Sequence, residues 1–495
     1  MKNFYQDGPK IKNTFETDSV LNAYLKNKLP KEIHKEIFEH LKHVGNLAAG
    51  DWLDWSYQAM AQIPVLEKFD PWGRRIDKII VSAAWNNLEK AAATEGIVAT
   101  AYERKFNEYS RIYQMALLYL YSPSSAFYSC PLAMTDGAAR TLEIYGDDSL
   151  KNEAFKNLIS RDSKKFWTSG QWMTEKEGGS DVSQTSTYAV TDDQSTYHLH
   201  GTKWFTSATT SQMALALART NPNEKGNRGL SMFYLELRDK SNHLQKIEVH
   251  RLKDKLGTKA LPTAELTLHG TPAKLIGKLG EGIKTIATVL NITRVYNSIC
   301  ALGHMRRGLD LAFDYALKRQ AFGMRLIDLP LHKKTLDDLE LEFKKCFAFT
   351  FFVVELLGKE EAKVSTDSEK KLLRALTPLV KLYTAKKAIH ISSEVLESFG
   401  GAGYVEDTGL PYLLRDAQVY SIWEGTTNVL ALDFLKVCEK ENALDEIIEL
   451  INSNSNSNID AMEVKQLRND KWKNQENARD FAFLVSEALI SSLGC

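Results

Sequence analysis

The sequence predicts an α+β protein in which a sheet domain lies between two helical domains. Apolar residues recur at helical spacing before residue 165, alternate with a period of two up to residue 277, and return to helical spacing after Gly282. At 495 residues the chain is also too long for a single core. We therefore expect a helical domain at 1–165, a β domain at 166–277, a helical bundle at 278–440 and a helical tail at 441–495.

The amino-terminal domain is predicted to be mostly helical. One apolar stripe with helical spacing consists of Ile79, Ile80, Ala83, Ala84 and Leu88. The segment Tyr145–Asp148, Tyr-Gly-Asp-Asp, is a turn signal and predicts a boundary between two helices.

Two segments of the central domain predict half-buried strands, because apolar positions alternate with small or polar ones. These apolar positions are Met213, Leu215 and Leu217 in the first segment and Ala264, Leu266 and Leu268 in the second. Between them, Asn221–Gly229 is rich in Asn, Gly and Pro and predicts a loop between strands.

Long helices are predicted beyond the β domain. One apolar stripe consists of Leu302, Met305, Leu309, Phe313 and Ala316. Further helices are expected around Leu336–Leu357 and Leu372–Leu396, with Gly400 and Gly401 ending the second. Pro378 should kink or interrupt that helix, because proline lacks the N–H that the helix needs.

The tail combines a polar linker with a short helix. Asn452–Asn458 alternates Asn and Ser and predicts a low-complexity linker. An amphipathic helix is predicted from Phe481, Phe483, Leu484, Ala488 and Leu489.

Composition excludes several classes of protein. The chain has 63 basic and 63 acidic residues and 43% hydrophobic residues, which indicates an ordinary globular protein without a global attraction to nucleic acid or acidic lipid. Its five cysteines are widely spaced, so neither a zinc site nor a disulfide framework is indicated. They are Cys130, Cys300, Cys346, Cys438 and Cys495.

No targeting signal is apparent. The chain has no apolar run of the roughly 20 residues that a membrane span requires. Asp7, Glu16 and Asp18 do not fit an acidic-poor transit peptide, and Ser492–Cys495 is not a peroxisomal signal. A cytoplasmic protein is therefore the default expectation, with mitochondria and peroxisomes left open.

The most informative segment is Asp416–Asn428, Asp-Ala-Gln-Val-Tyr-Ser-Ile-Trp-Glu-Gly-Thr-Thr-Asn. It sets Glu424 between Trp423 and Gly425. A carboxylate that an aromatic ring partly shields from water is suited to act as a general base, and glycine lets a ligand approach the backbone. The alternative is an ordinary helix start, with Thr426 as its cap, and these residues alone leave both interpretations open.

A second segment, Trp172–Val182, is a Gly-Gly-Ser loop after an aromatic approach. Such loops bring backbone N–H groups close to anionic ligands, and Thr174 and Ser180 add hydroxyl groups. By itself a Gly-Gly-Ser sequence is more often a simple turn.

Together with Lys318–Gly323 (Lys-Arg-Gln-Ala-Phe-Gly) and Phe399–Tyr404 (Phe-Gly-Gly-Ala-Gly-Tyr), these segments resemble the acyl-CoA dehydrogenase family in order and separation. The resemblance extends from near Ala133 to near Lys440. Further segments are similar to the adaptive-alkylation-response branch of the family, and most of all to its animal members. They are Asp70–Asp77, Gly170–Glu175, Arg251–Gly257, Leu256–Leu266, Leu410–Asp416 and Ser421–Gly425.

The resemblance implies a flavoprotein that uses FAD to desaturate a medium- or long-chain acyl-CoA between its α and β carbons. Glu424 occupies the position of the family's general base. In the family, the backbone N–H of this glutamate and a flavin hydroxyl polarise the thioester carbonyl where negative charge develops. The β hydrogen leaves as hydride to the flavin.

The resemblance also implies a set of cofactor-binding residues. Those on the two sheet-domain segments are Met173, Thr174, Gly179, Ser180, Trp204, Thr206 and Ser207, although the spacing around Trp204 is one residue shorter than usual. Those expected to reach the flavin of a neighbouring subunit are Arg319, Phe322, Gly400 and Gly401. Thr426 and Asn428 would follow Glu424 towards the phosphates or adenine.

Partners follow from the same resemblance: an acyl-CoA substrate, an electron-transfer flavoprotein as acceptor, and a homotetramer built as a dimer of dimers. The chain departs from typical members at Lys176, where they have Pro, and at Glu397, where they have Gln. Members of the branch usually continue through a further helical region, so the carboxyl terminus is expected to be shortened.

Two alternatives to a working dehydrogenase remain at this level. One is a regulatory flavoprotein that binds acyl-CoA with little turnover, and the other is a DNA-associated protective flavoprotein. The second requires a basic surface. Residues 441–495 carry five basic and ten acidic side chains, a net charge of −5, which does not favour it.

Overall fold

The computed structural model describes residues 6–191, 193, 196–221, 224, 226–453 and 466–494. These residues form two compact units. The first takes in the described residues of Met1–Gly50, Arg104–Pro123 and Arg294–Cys495, and the second those of Asp51–Glu103 and Ser124–Thr293.

Helices make up most of the described residues outside the sheet region. In chain order they are α1 (Ser19–Lys28), α2 (Lys31–Ala49), α3 (Asp51–Ala61), α4 (Ala83–Thr94), α5 (Ala99–Glu103), α6 (Tyr109–Tyr121), α7 (Ser129–Tyr145), α8 (Asp148–Leu150), α9 (Lys156–Leu158), α10 (Gly282–Lys318), α11 (Pro330–Glu361), α12 (Asp367–Ser398), α13 (Pro411–Tyr420), α14 (Thr427–Glu441), α15 (Ala443–Ser453) and α16 (Ala478–Ser492).

The strands lie mainly between residues 169 and 276. In chain order they are β1 (Val65–Phe69), β2 (Arg75–Ile80), β3 (Ser169–Trp172), β4 (Tyr188–Thr191), β5 (Tyr197–Ser207), β6 (Met213–Arg219), β7 (Leu230–Glu236), β8 (Ile247–Leu252), β9 (Thr263–Ile276), β10 (Gln320–Ala321) and β11 (Met324–Arg325). The predicted order of a helical region, a sheet region and a second helical region is confirmed. The domain boundaries given above stay a prediction.

The amino-terminal region is largely helical, but the stripe at Ile79–Leu88 was assigned to one helix wrongly. Ile79 and Ile80 belong to β2, and α4 begins only at Ala83. The chain turns at Asp70, whose side chain accepts from the backbone N–H groups of Trp72 and Arg74, and β1 and β2 form an antiparallel hairpin. Asp77 also accepts a hydrogen bond from Val249 of β8 at 2.9 Å, so a tertiary contact overrides the local helical pattern.

The predicted boundary at Tyr145–Asp148 is confirmed. Helix α7 ends at Tyr145, and α8 begins at Asp148. Asp147 caps the new helix, because its side chain accepts from the backbone N–H of Leu150 at 2.8 Å.

The main sheet has seven strands and closes on itself. β6 pairs with β7, β7 with β9, β9 with β5, β5 with β4, and β4 again with β6, while β3 runs parallel to β6 and β8 pairs with β9. A core of apolar side chains fills this sheet and includes Trp172, Leu199, Phe233 and Leu266. The predicted loop at Asn221–Gly229 indeed lies between β6 and β7, although residues 222, 223 and 225 are outside the described residues.

The prediction that β6 is half-buried is wrong, because Met213–Ala218 are buried on both faces. The alanines at 214, 216 and 218 face the core of the sheet, where large residues of the other strands leave little room. The alternation therefore separates large from small side chains rather than buried from exposed ones.

The second helical region has the predicted long helices. Of the two outcomes predicted for Pro378, a kink or an interruption, the interruption does not occur, because α12 continues through it. Seven consecutive residues, Ala375–Lys381, are buried here, and this packing holds the helix together where proline removes one hydrogen bond. The helix ends at Ser398, just before Gly400 and Gly401, as predicted.

The tail is helical at both of its described ends. Helix α15 continues through Ser453 and so includes the first two residues of the predicted linker, Asn452 and Ser453. The rest of the linker, 454–458, lies outside the described residues. The predicted amphipathic helix is present as α16, with Phe481 and Leu489 buried.

Candidate active site

Glu424 lies in the short loop between α13 and α14. Its side chain is half-buried, and its backbone has a φ of +56°, in the left-handed region that a residue with a side chain rarely adopts. Gly425 follows with a φ of +105°. Two successive residues with positive φ turn the chain sharply before α14 begins. Glu424 therefore lies outside regular secondary structure.

Helix α10 holds this segment through three polar side chains on one face. His304 donates from Nε2 to the Leu413 carbonyl at 2.6 Å, Asn297 donates to the Tyr420 carbonyl at 3.1 Å, and Arg294 donates from Nε to the Glu424 carbonyl at 3.3 Å. Burial lowers the pKa of His304 to about 4, so its ring is neutral at physiological pH. The spacing of these residues places them along one stripe of the helix.

Arg294 is itself held in place by Asp433 of α14. Its Nη1 lies 2.9 Å from Asp433 Oδ2, and Arg374 of α12 lies 2.6 Å from Asp433 Oδ1. Burial alone would raise the pKa of Asp433, but the hydrogen bond from Arg374 and the charge of Arg294 outweigh it and hold that pKa below its usual range. This network fixes the direction in which Arg294 points.

A further buried cation, Lys381 of α12, contacts the same loop. Its Nζ donates to the Gly425 carbonyl at 2.6 Å. Burial lowers the pKa of Lys381 to about 7, although the negative charge of Glu424 opposes the shift. Sequence reasoning missed Arg294, Lys381 and Asp433; the one available signal was a lysine within an apolar helical run.

The amino end of α14 carries the predicted residues Thr426 and Asn428, both exposed. Thr426 occupies the cap position, but its side chain makes no capping hydrogen bond. The hydroxyl group therefore does not serve the helix as the alternative interpretation required. Asn428 accepts a hydrogen bond from Arg479 at 3.4 Å.

Arg319 and Phe322 lie just beyond α10, at a hairpin formed by β10 and β11. Phe322 and Gly323 have φ of +53° and +79°, as the two-residue turn of a tight hairpin requires. The Phe322 side chain at its tip is 95% exposed. An aromatic ring held this far out in a strained conformation is typical of a contact with another molecule.

The Gly400 turn lies next to this hairpin. The rings of Tyr315, one turn before Arg319, and Phe399 have centroids 4.7 Å apart. A Cβ atom added at Gly400 or Gly401 would meet no other atom within 4 Å, so space is open around both. The first unit thus brings together the two segments that were expected to reach a neighbouring subunit.

The second unit joins the two predicted sheet-domain segments through a buried ion pair. Glu175 Oε1 lies 2.6 Å from Lys203 Nζ, and both side chains are fully buried. One residue away on each side, Trp204 donates its backbone N–H to the Thr174 carbonyl at 2.9 Å. The Glu175–Lys203 pair thus locks the Trp172–Val182 loop onto β5.

The Glu175 carboxylate also accepts hydrogen bonds from backbone N–H and hydroxyl groups of residues that follow the loop. Ser186 and Thr187 both donate to its carboxylate. Burial would raise the pKa of Glu175, but the charge of Lys203 and these hydrogen bonds outweigh it and lower that pKa. The carboxylate therefore stays ionised and satisfied in the interior.

The remaining predicted residues of this unit differ in exposure. Gly179 and Ser180 are exposed, Met173 is buried, and Trp204 and Ser207 are half-buried. Thr206 is fully buried, and its hydroxyl donates to the Ala264 carbonyl at 2.8 Å. Lys253 Nζ lies 4.1 Å and Lys176 Nζ 5.7 Å from the centre of the Trp204 ring. The pairing of β5 with β9 shifts register between Lys203 and Thr206, where the sequence had left the spacing uncertain.

Among the residues that the structure describes, no helix is both long and apolar enough to cross a bilayer. The same part of the chain holds no group of three or more His, Cys, Asp or Glu side chains able to bind a metal ion.

Comparison with protein-family models assigns most of the chain. Residues 280–437 match the acyl-CoA dehydrogenase C-terminal domain, and residues 170–271 match the acyl-CoA dehydrogenase middle domain. Residues 9–164 match the adaptive response protein AidB N-terminal domain.

Two curated relatives extend over most of the chain. Acyl-CoA dehydrogenase family member 11 of Caenorhabditis elegans is 47% identical over 451 residues, which cover 89% of this chain and 73% of the relative. The putative acyl-CoA dehydrogenase AidB of Escherichia coli strain K12 is 30% identical over 81% of this chain and 74% of the relative.

Two solved structures have nearly the same fold. The apo form of a protein named Bd2924 has a TM-score of 0.96 and 60% identity, and 99% of each chain is covered. ACDH-11 of Caenorhabditis elegans, solved in complex with C11-CoA, also has a TM-score of 0.96, with 42% identity over 100% of this chain and 89% of that one.

Two acyl-CoA dehydrogenase models and the AidB N-terminal model together match the chain's three regions, and the two long relatives agree with them. The recognition made from sequence motifs, the fold class and the FAD cofactor are therefore confirmed. The chain belongs to the acyl-CoA dehydrogenase family of FAD-dependent oxidoreductases, in the branch that includes AidB.

Proposed function

We propose that this protein desaturates a medium- or long-chain acyl-CoA between its α and β carbons, with Glu424 as the general base. The observation that carries the proposal is the backbone of Glu424, with its φ of +56°. A left-handed residue with a side chain costs roughly 1–3 kcal/mol, and such strain concentrates at functional sites. Here Arg294 and Lys381 donate to carbonyls of the loop, and Asp433 holds Arg294, so side chains from three helices support this strained conformation.

The reaction removes two hydrogens from the substrate. Glu424 takes the α proton, the electrons of that C–H bond form the new double bond, and the β hydrogen leaves as hydride. The carboxylate can do this only if the thioester carbonyl is polarised by hydrogen bonds as negative charge develops on it. The backbone N–H of Glu424 is the donor that we propose from this chain. FAD, when bound, supplies the hydride acceptor.

The residues of the first unit suit a flavin dinucleotide. Helix α14 begins without a side-chain cap. No capping side chain therefore competes for its first N–H groups, which suit a phosphate or another polar group. Thr426 and Asn428 add polar side chains at the same helix end. The open space at Gly400 and Gly401 lets a ligand come close to the backbone.

The second unit offers a loop with exposed Gly179 and Ser180 and a half-buried Trp204. We retain Met173, Thr174 and Ser207 as flavin contacts. Thr206 suits this role less well, because it is fully buried and its hydroxyl already donates to the Ala264 carbonyl. Ser207 is half-buried, and its hydroxyl, which shares a hydrogen bond with Thr263 at 3.1 Å, keeps the capacity for a further one, so we assign it the polar contact.

Substrate length, electron acceptor and assembly form part of the proposal. The C11-CoA in the complex of ACDH-11 supports a fatty acyl-CoA of medium length. An electron-transfer flavoprotein is the acceptor that the family resemblance suggests. The exposed Phe322 at the tip of the hairpin, together with Arg319, supports a homotetramer in which each hairpin reaches a neighbouring subunit.

The proposal is tested by mixing the FAD-loaded protein anaerobically with acyl-CoAs of increasing chain length and following the flavin absorbance. Bleaching by a medium- or long-chain acyl-CoA, with formation of the 2-enoyl-CoA, is the expected result. If every acyl-CoA binds tightly and none bleaches the flavin, the protein sequesters acyl-CoA instead. If none binds and duplex DNA does, the protective function replaces both.

A further inference from the structure

Lys381 is an unusual lysine because it lies in the hydrophobic interior, where, among the described residues, it forms no close ion pair with a carboxylate. It sits in the middle of α12, next to the buried residues Val380 and Leu382. Among the described residues, its one hydrogen-bond acceptor is the Gly425 carbonyl, at 2.6 Å, and no carboxylate lies within ion-pair distance. Burying an unpaired ammonium group is unfavourable, and an apolar side chain would stabilise the fold more.

Lys381 contacts the carbonyl of Gly425, directly after Glu424, where the backbone has an uncommon conformation. Glu424 and Gly425 both have positive φ. The Glu424 carbonyl accepts from Arg294, which Asp433 keeps in place. That bond is long, at 3.3 Å, whereas the bond from Lys381 to the next carbonyl is short, at 2.6 Å, so it is the stronger of the two.

The direction of a carbonyl determines the plane of its peptide. Holding the Gly425 carbonyl fixes the ψ angle of Gly425, while the Arg294 bond fixes the peptide before it. Both peptides of Gly425 are therefore held, and the chain is anchored on the carbonyl side of Glu424, which limits the directions that its side chain can take. A neutral apolar residue at 381 would leave the Gly425 carbonyl without this donor.

We propose that Lys381 is a positioning residue, which holds the Gly425 carbonyl so that the Glu424 carboxylate is directed at the α carbon of the substrate. The inference rests on the proposed function, since it assumes that Glu424 is the base. In this proposal Lys381 acts only through the Gly425 carbonyl. The negative charge of Glu424 in turn acts on Lys381, whose lowered pKa it partly restores.

The test compares three variants of the FAD-loaded protein. Lys381→Met keeps the length of the side chain and removes the donor. Lys381→Gln keeps a neutral N–H donor. Thr384→Val is the matched control, because Thr384 is also fully buried one turn further along α12 and donates to a backbone carbonyl, that of Val380, at 2.6 Å.

We expect Lys381→Met to remain folded and to bind acyl-CoA as wild type does, while flavin reduction slows on the order of 10- to 100-fold, as expected for a misdirected group. Lys381→Gln should recover part of that loss, and Thr384→Val should reduce its flavin at the wild-type rate. Flavin reduction by Lys381→Met at the wild-type rate would overturn the proposal, as would an equal loss in Thr384→Val.

A second readout does not depend on turnover. Amide hydrogen exchange of Ser421–Thr426 should be faster in Lys381→Met than in wild type and Thr384→Val, because the loop is no longer held. If wild type reduces no flavin with any acyl-CoA, the proposed function fails, yet the exchange measurement still decides the role of Lys381. Unchanged exchange in this segment would show that Lys381 does not hold the loop.

Discussion

At the scale of single residues, the loop between α13 and α14 depends on backbone conformations that only a few residues adopt easily. Glu424 has a left-handed backbone, and Gly425 has a φ that a residue with a side chain avoids. A Cβ atom added at Gly425 would also lie 3.0 Å from Leu430 Cδ2. Both the dihedral angle and the lack of space therefore require glycine at this position.

Gly425→Ala should lower the free energy of unfolding by roughly 1–3 kcal/mol, because alanine is strained at this φ. It should also slow flavin reduction, since the strain displaces the neighbouring Glu424. Urea denaturation measures the first effect. Gly8→Ala is the control, because a Cβ there meets no atom within 4 Å and its φ is ordinary. Equal stability of Gly425→Ala and wild type would contradict the strain that we describe.

Lys381 should make stability depend on pH. Its pKa is lowered to about 7 in the folded protein from the ordinary value of 10.5, so between these values the unfolded chain binds more protons. The free energy of unfolding contributed by this residue therefore rises with pH through that range, by on the order of 1 kcal/mol per pH unit.

Urea denaturation of wild type and Lys381→Met at about pH 7 and about pH 9 measures this contribution. The variant should be the more stable protein at the lower pH, because it buries no charge. Its advantage should shrink at the higher pH, where Lys381 is neutral in the folded state. An advantage that stays the same at both values would mean that Lys381 does not titrate in this range.

At the scale of elements, the sequence predicted those parts that repeat a simple pattern. The long helices after Gly282 and strand β9 follow their apolar periodicity. The hairpin of β1 and β2 was missed, because its strands are held by Asp77 and its contact with Val249 rather than by local preference. Pro378 was expected to kink or interrupt α12; it does not interrupt the helix, and the packing of its neighbours could not be known from the sequence.

The buried pair of Glu175 and Lys203 should be important for the β domain, since it joins the Trp172–Val182 loop to β5. Lys203→Met leaves Glu175 buried without its partner and should lower the free energy of unfolding by about 3–5 kcal/mol. Glu175→Gln combined with Lys203→Met removes both charges and keeps an acceptor for Thr187. The double variant should therefore be more stable than Lys203→Met alone, as measured by thermal unfolding. The opposite order would show that the charges do not depend on each other.

At the scale of the whole molecule, the order of four motifs along the chain predicted more of the candidate site than any one motif could have predicted alone. Glu424, Arg319 and Gly400 were predicted because their segments occur in one order along the chain. The residues that support them, Arg294 and Lys381, have no motif of their own. Lys381 contacts a carbonyl that is far away in the sequence. In the sequence, such a residue appears only as a charged residue within an apolar run, and many lysines of structural ion pairs share this pattern.

The exposed hairpin allows a direct test of assembly. Phe322→Asn removes the ring and gives an Asn-Gly turn, which favours the positive φ of both residues, so the subunit itself should stay intact. We expect light scattering to show weaker assembly and FAD to be lost more readily, with Arg319→Ala behaving in the same way. A stable, fully flavinylated tetramer of both variants would contradict a role for the hairpin between subunits.

The central claim is that Glu424 removes the α proton, and anaerobic stopped-flow mixing of Glu424→Gln with the acyl-CoA that best bleaches wild type tests it most directly. Glutamine keeps the size of the side chain but cannot accept the proton. The variant should retain its FAD and bind acyl-CoA, while flavin reduction falls by on the order of 10²- to 10⁴-fold, as expected when a positioned base is removed. Flavin reduction by Glu424→Gln as fast as by wild type would contradict the account and require another base.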